Sequence, residues 1–144
     1  MNTDLPPAER CSVEPTAAQL GALDELDADV AVVMLNLVRF RDVADYSHRP
    51  DLAPEAPISG AEAYRRYSAA AQDTLGAIGG AVEHFRSCRP TFIGPDGEQW
   101  DAVLTVRYPN PAAFRALINH PAYVEAAVHR TAALVDSRLI PTSG

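Results

Sequence analysis

His84, Asp101 and Arg107 are the residues of this chain whose types and placement best fit catalysis. All three fall on segments that read as neighbouring strands. Imidazole titrates near neutral pH, so His84 suits a general acid or base, and a carboxylate such as Asp101 would fix its tautomer. The competing reading of His84 is a half-exposed strand residue without a role. Arg107 groups with Arg39 and Arg138 as cations expected at one end of the sheet. Either Asp101 and Asp136 pair with them as structural ion bridges, or one arginine is left to bind a substrate carboxylate or enolate.

A second set, Asn36, Arg39, Tyr64, Tyr67, Trp100, His129 and Arg138, is expected to line a substrate pocket. Tyr64 and Tyr67 lie three apart on one helix; their phenols either orient a substrate or pack in the core with satisfied hydroxyls. His129 would act as a base or haem ligand only by facing the cavity, and the alternative is an exposed helical histidine. His48 and His120 read as solvated. No two histidines stand four apart, no His/Asp/Glu cluster has ligand-like spacing, and no serine has GxSxG context, so neither metal nor other cofactor is expected. The haem alternative predicts a Soret band on titration.

The elements that must position these groups follow from periodicity. Residues 30–40, VAVVMLNLVRF, are apolar at both parities and read as a central strand. Residues 41–58, with three prolines, form a long loop, either a lid or a solvated insertion. Ser59 with Glu62 resembles a capping box opening a helix over 60–78 whose stripe carries Ala63, Tyr64, Tyr67, Ala71, Leu75 and Ile78. Strands are expected at 81–93 and 100–108, joined by the turn GPDG. Asn110-Pro111 opens a helix to 119, His120-Pro121 breaks it, a second helical run reaches about 133, and a strand covers 134–140. Thr16 caps a short amphipathic helix, expected to pack outside the main domain, after an irregular arm over residues 1–15.

The resulting order, β-α-β-β-α-β behind an extra helix, is the ferredoxin-like α+β pattern, an antiparallel sheet with helices on one face. The expected division is an N-terminal arm and helix over 1–28 and a domain over 29–144. Val30, Val32 and Met34 alternate with Ala31, Val33 and Leu35, so something must also cover the other face, and a second copy in a homodimer is the economical answer.

At 144 residues with 47% hydrophobic and 22% charged residues, one ordinary globular core is expected. A net charge of −7 disfavours nucleic acid and anionic membranes as partners. The longest apolar run is too short to span a bilayer, the N-terminus lacks a signal-peptide pattern, and Cys11 and Cys88 form no CxxC, so a cytoplasmic protein with reduced thiols is expected.

The strand ending Tyr108-Pro109, then Ala112-Ala113-Phe114, Pro121-Ala122-Tyr123 and Asp136-Ser137-Arg138-Leu139 resemble a bacterial family of unknown function in the dimeric α/β-barrel superfamily. The resemblance runs from about residue 30 to 141. It implies a ferredoxin-like homodimer whose cavity holds small molecules, in a superfamily that includes cofactor-free oxygenases, isomerases, lyases and haem enzymes. The expected function is a cofactor-free enzyme acting by acid–base chemistry on a small apolar molecule, an isomerase, cyclase, lyase or oxygenase. The alternative is a non-catalytic, small-molecule-binding or stress-responsive dimer.

Overall fold

The structure, a computed structural model, describes residues 11–143. Four strands, β1 (Val32–Phe40), β2 (Ala81–Ser87), β3 (Ala102–Tyr108) and β4 (Leu134–Thr142), form one sheet in the order β2-β3-β1-β4. Every pairing is antiparallel. With helices α1 (Ala17–Ala22), α2 (Gly60–Ala77), α3 (Pro111–Asn119) and α4 (Pro121–Ala133), this is the ferredoxin-like α+β fold.

Strand β1 is central, as its apolar run requires, with β3 on one side and β4 on the other. Register assigns the faces: Val32, Met34, Asn36 and Val38 stand opposite Tyr108, Val106, Leu104 and Ala102 of β3. All eight are buried, and most belong to the core beneath the helices. The outer face carries Val33, Leu35 and Leu37 beside Arg107, Thr105 and Val103. These apolar side chains are only half-buried, and Ile140, beside Leu35 on β4, is 46% exposed.

Helix α2 starts as expected: the Ser59 hydroxyl accepts from the Glu62 amide at 3.0 Å. The Glu62 carboxylate pairs with Arg65 at 2.6 Å, on the solvent side. Gly60 opens the helix where no side chain fits, since a Cβ there would collide with the carbonyls of Arg41 and Ala133. At the other end Gly79 turns the chain with φ +84°, a conformation side chains resist. Asn110 caps α3 and His120 caps α4, its Nδ1 accepting from the Ala122 amide at 3.1 Å. Pro121 lacks the N–H needed to continue α3, so one residue separates the two helices.

One expectation is corrected. The second strand ends at Ser87 rather than at 93: Pro90 cannot donate to a ladder, and residues 88–101 form a long connection instead of a tight hairpin. Phe92 and Ile93 are left 96% and 87% exposed within it. The loop 41–58 is tied at its start to the end of α4. Its amides at Arg41 and Asp45 donate to Ala133 and Ala132 at 2.8 Å, and the Tyr46 hydroxyl meets His129 Nδ1 at 2.7 Å.

The N-terminal helix lies on the outside of the domain, with no buried residue. Thr16 and Gln19 form a reciprocal capping box around α1, and a 3-10 turn, Leu23–Glu25, follows. Residues 11–26 cross the molecule as a strap. The Ser12 amide donates to Asp136 at 2.9 Å, the Val13 carbonyl accepts from Arg130 at 2.7 Å, and Asp24 pairs with Arg115 of α3 at 2.7 Å. Of the expected arm over 1–15, residues 1–10 lie outside the described residues.

Candidate functional site

Between the helix-side face of the sheet and the helices lies a cavity of about 920 Å³. Its floor is Met34, Asn36, Leu104 and Val106; α2 contributes Tyr64 and Tyr67, α3 Phe114, and α4 Tyr123 and Arg130. The strap forms the remaining side, with Val13, Leu20 and Leu23 among its lining residues. The segment over the cavity is thus the strap, while the 41–58 loop borders it only through His48.

The aromatic residues are interlocked. Tyr64 and Tyr67 rings are 5.2 Å apart, Tyr67 meets Tyr123 edge-on at 6.0 Å, and the Tyr67 and Tyr123 hydroxyls share a hydrogen bond of 2.9 Å. Burial raises the Tyr64 phenol to about 12 and pushes Tyr67 well above its ordinary value, while the Arg130 guanidinium opposes both shifts. These phenols stay protonated at neutral pH and suit hydrogen-bond donation. Asn36 is 8% exposed, and its amide nitrogen donates to the Met34 carbonyl at 3.1 Å. Its side-chain carbonyl is an acceptor on an otherwise apolar floor.

Of the ten residues expected from the sequence, Asn36, Tyr64, Tyr67 and Arg138 line this cavity, and His84, Asp101, Arg107, Arg39, Trp100 and His129 do not. The expected convergence of His84, Asp101 and Arg107 does not form. His84 is exposed, with Nδ1 3.2 Å from Thr105 Oγ1 rather than beside Asp101. The Asp101 carboxylate accepts from the Phe40 amide at 2.7 Å, while its own amide donates to the Val38 carbonyl at 2.8 Å. Asp101 thus fastens strand ends. Arg107 is exposed on the outer face of the sheet, across from Val33.

The three arginines do not meet at one end. Arg107 pairs across from Val33 near the start of β1, whereas Arg39 stands across from Asp136 near its end, about 20 Å away at strand spacing. Arg138 pairs with the buried Asp136 at 2.6 Å and lies 5.2 Å from the Trp100 ring centroid, the structural alternative for that arginine. Arg39 Nη1 donates to the Gly97 carbonyl at 3.3 Å. His129 turns toward Tyr46; desolvation, then the nearby Arg66, lowers its pKa.

Sequence reasoning missed Arg130, Tyr123 and Phe114. Helical spacing held the signal: Tyr123 and Arg130 are seven apart on α4, hence on one face, and His129 is turned about 100° from that face. Among the described residues no group of three or more His, Cys, Asp or Glu side chains is placed to hold a metal ion, and no helix is long and apolar enough to cross a membrane.

No protein-family model and no curated protein matches the chain. Crystal structures do, two of them over nearly the full length of both chains. The methylated RPA0582 protein is 36% identical, with TM-score 0.84, over 94% of this chain and 96% of its own. RPA0582 from Rhodopseudomonas palustris, a protein of unknown function, is 37% identical, with TM-score 0.81, over 92% and 95%. A protein from Bacteroides fragilis, described as dimeric, of unknown function and ferredoxin-like fold, is 14% identical, with TM-score 0.48, over 83% and 99%. The shared sequence and fold along almost the whole chain place this protein in the family of Rhodopseudomonas palustris RPA0582.

Proposed function

We propose that the protein binds a small, largely apolar organic molecule in the cavity between sheet and helices, and that it does so as a homodimer. The observation that carries the first part is the cavity itself. About 920 Å³ walled by aliphatic and aromatic side chains, with a few polar groups from separate elements, has the size and make-up of a small-molecule site. Native mass spectrometry of the protein purified from its source tests it: a retained organic ligand, lost when Leu104→Trp fills the cavity, is expected. Equal retention by that variant would place the ligand elsewhere and overturn the proposal.

The dimer is supported by the outer face of the sheet. Val33, Leu35, Leu37, Val103 and Ile140 form an apolar surface with no helix of the described residues over it, and a second copy of the same face supplies a cover of matching character. Light scattering at micromolar concentration is expected to give twice 15.5 kDa. The mass of one chain would overturn this part.

The Tyr67–Tyr123 pair favours a second reading of the same site, a cofactor-free enzyme of isomerase, cyclase, lyase or oxygenase type. Of two hydroxyls that share one hydrogen bond, one O–H remains to donate to a carbonyl or enolate oxygen of a bound molecule. In that reading Tyr67→Phe and Tyr123→Phe each lower turnover with little change in ligand affinity. A turnover indifferent to both would remove the phenols from the chemistry.

A further inference from the structure

We propose that the cavity's ligand is an organic anion, a carboxylate or enolate on a flat apolar body, and that Arg130 holds its charge. This rests on the cavity being a small-molecule site. Arg130 is half-buried on α4, on the same wall as Tyr123. Its Nη1 donates to the Val13 carbonyl at 2.7 Å, and its Nη2 is 3.4 Å from Ser137 Oγ. Both acceptors are neutral, and two contacts leave most of the five guanidinium N–H donors unused by them.

Ion pairs among the described residues join Arg49 to Asp51, Arg65 to Glu62, Arg115 to Asp24 and Arg138 to Asp136; Arg130 is in none of them. The acids bordering the cavity, Glu14 and Glu25, are exposed on the strap, and Glu14 accepts from the Thr131 hydroxyl at 2.6 Å. A cation taken partly out of water without a counter-charge is costly to keep, and a bound anion removes that cost. The guanidinium fork matches a carboxylate in two parallel hydrogen bonds. Beside it, burial keeps the Tyr67 phenol protonated, and the hydrogen bond it shares with the Tyr123 hydroxyl leaves one O–H of the pair to donate to the anion.

The flat apolar body follows from the walls. Tyr64, Tyr67, Tyr123 and Phe114 present ring faces and edges, and Met34 and Leu104 close the floor. A small, strongly hydrated anion would find few polar partners there. Arg130 also links a bound anion to the strap, since its Nη1 donates to the Val13 carbonyl.

Isothermal titration with 2-naphthoate and its neutral isostere 2-naphthalenemethanol tests the inference. The wild-type protein is expected to bind the acid about tenfold or more tightly than the alcohol. Arg130→Gln is expected to erase that preference while alcohol affinity is kept, Arg130→Lys to retain part of it, and Arg86→Gln, exposed on β2, to leave both affinities unchanged. Where Arg130→Gln fails to fold by circular dichroism, the wild-type salt dependence decides: added NaCl should weaken the acid and not the alcohol. Equal binding of the two probes, or a preference surviving Arg130→Gln, overturns the anion inference and leaves the apolar site standing. Absence of binding by either probe at millimolar concentration overturns both.

Discussion

Met34 and Leu35 are adjacent on one strand, yet they belong to two different surfaces. Met34 is 1% exposed, on the helix-side face that also carries Asn36, Leu104 and Val106. Leu35 is half-buried on the outer face, with Thr105 across from it on β3 and Ile140 on β4. Each face is an apolar field with a few polar intruders, so strand sequence alone makes them look alike. What separates them is what lies above: α2, α3, α4 and the strap enclose a cavity on one side, and no element of the described residues covers the other.

The largest effects should divide along that line. Met34→Ala removes a fully buried side chain and should cost about 2–5 kcal/mol in urea unfolding. Leu35→Asp should leave helical circular dichroism intact while halving the mass seen by light scattering. If Leu35→Asp unfolds the chain instead, the outer face contributes to the core of one chain rather than to an interface between two.

The phenol pair gives a smaller effect confined to the helix side. Tyr67→Phe or Tyr123→Phe should each cost about 1 kcal/mol, and the double variant little more than either alone, because the same hydrogen bond is lost. Additive losses would show that the two hydroxyls act independently.

The far side of α4 should respond to pH. The folded protein holds His129 below its ordinary value, through desolvation and then Arg66. Between the folded and unfolded values the unfolded chain binds more protons. Stability from this group is therefore complete above pH about 6.5 and declines as pH falls through and below that value. Arg66→Gln should shrink the decline in pH-dependent thermal unfolding. The smallest change is expected at His84→Ala, exposed on the outer face beside Thr105: within about 0.5 kcal/mol of wild type, with probe binding in the cavity unchanged.

These differences locate what the sequence could and could not carry. Alternation put Asn36 on one face with Val32 and Met34, and Arg39 on the other with Leu35, and both assignments hold because parity is local to the strand. The caps at Ser59, Asn110 and Thr16 were legible for the same reason. Which face encloses the cavity was not legible. That depends on where α2 and α4 pack and on a strap fastened by contacts such as Ser12 to Asp136, far apart in the chain. His84 and Arg107 do share a face, as their spacing required, but it is the open one. Arg130 was overlooked beside His129 because the choice between them rests on helix orientation rather than residue type.

The claim that the helix-side cavity is the binding site can be tested on the tyrosines themselves. Tyr64, Tyr67, Tyr108 and Tyr123 line it, whereas Tyr46 lies outside, bonded to His129. With ring-¹³C tyrosine and saturating 2-naphthoate, the resonances of the four cavity tyrosines should shift and that of Tyr46 should stay in place. Shifts confined to Tyr46, or a spectrum unchanged at saturation, would contradict the account.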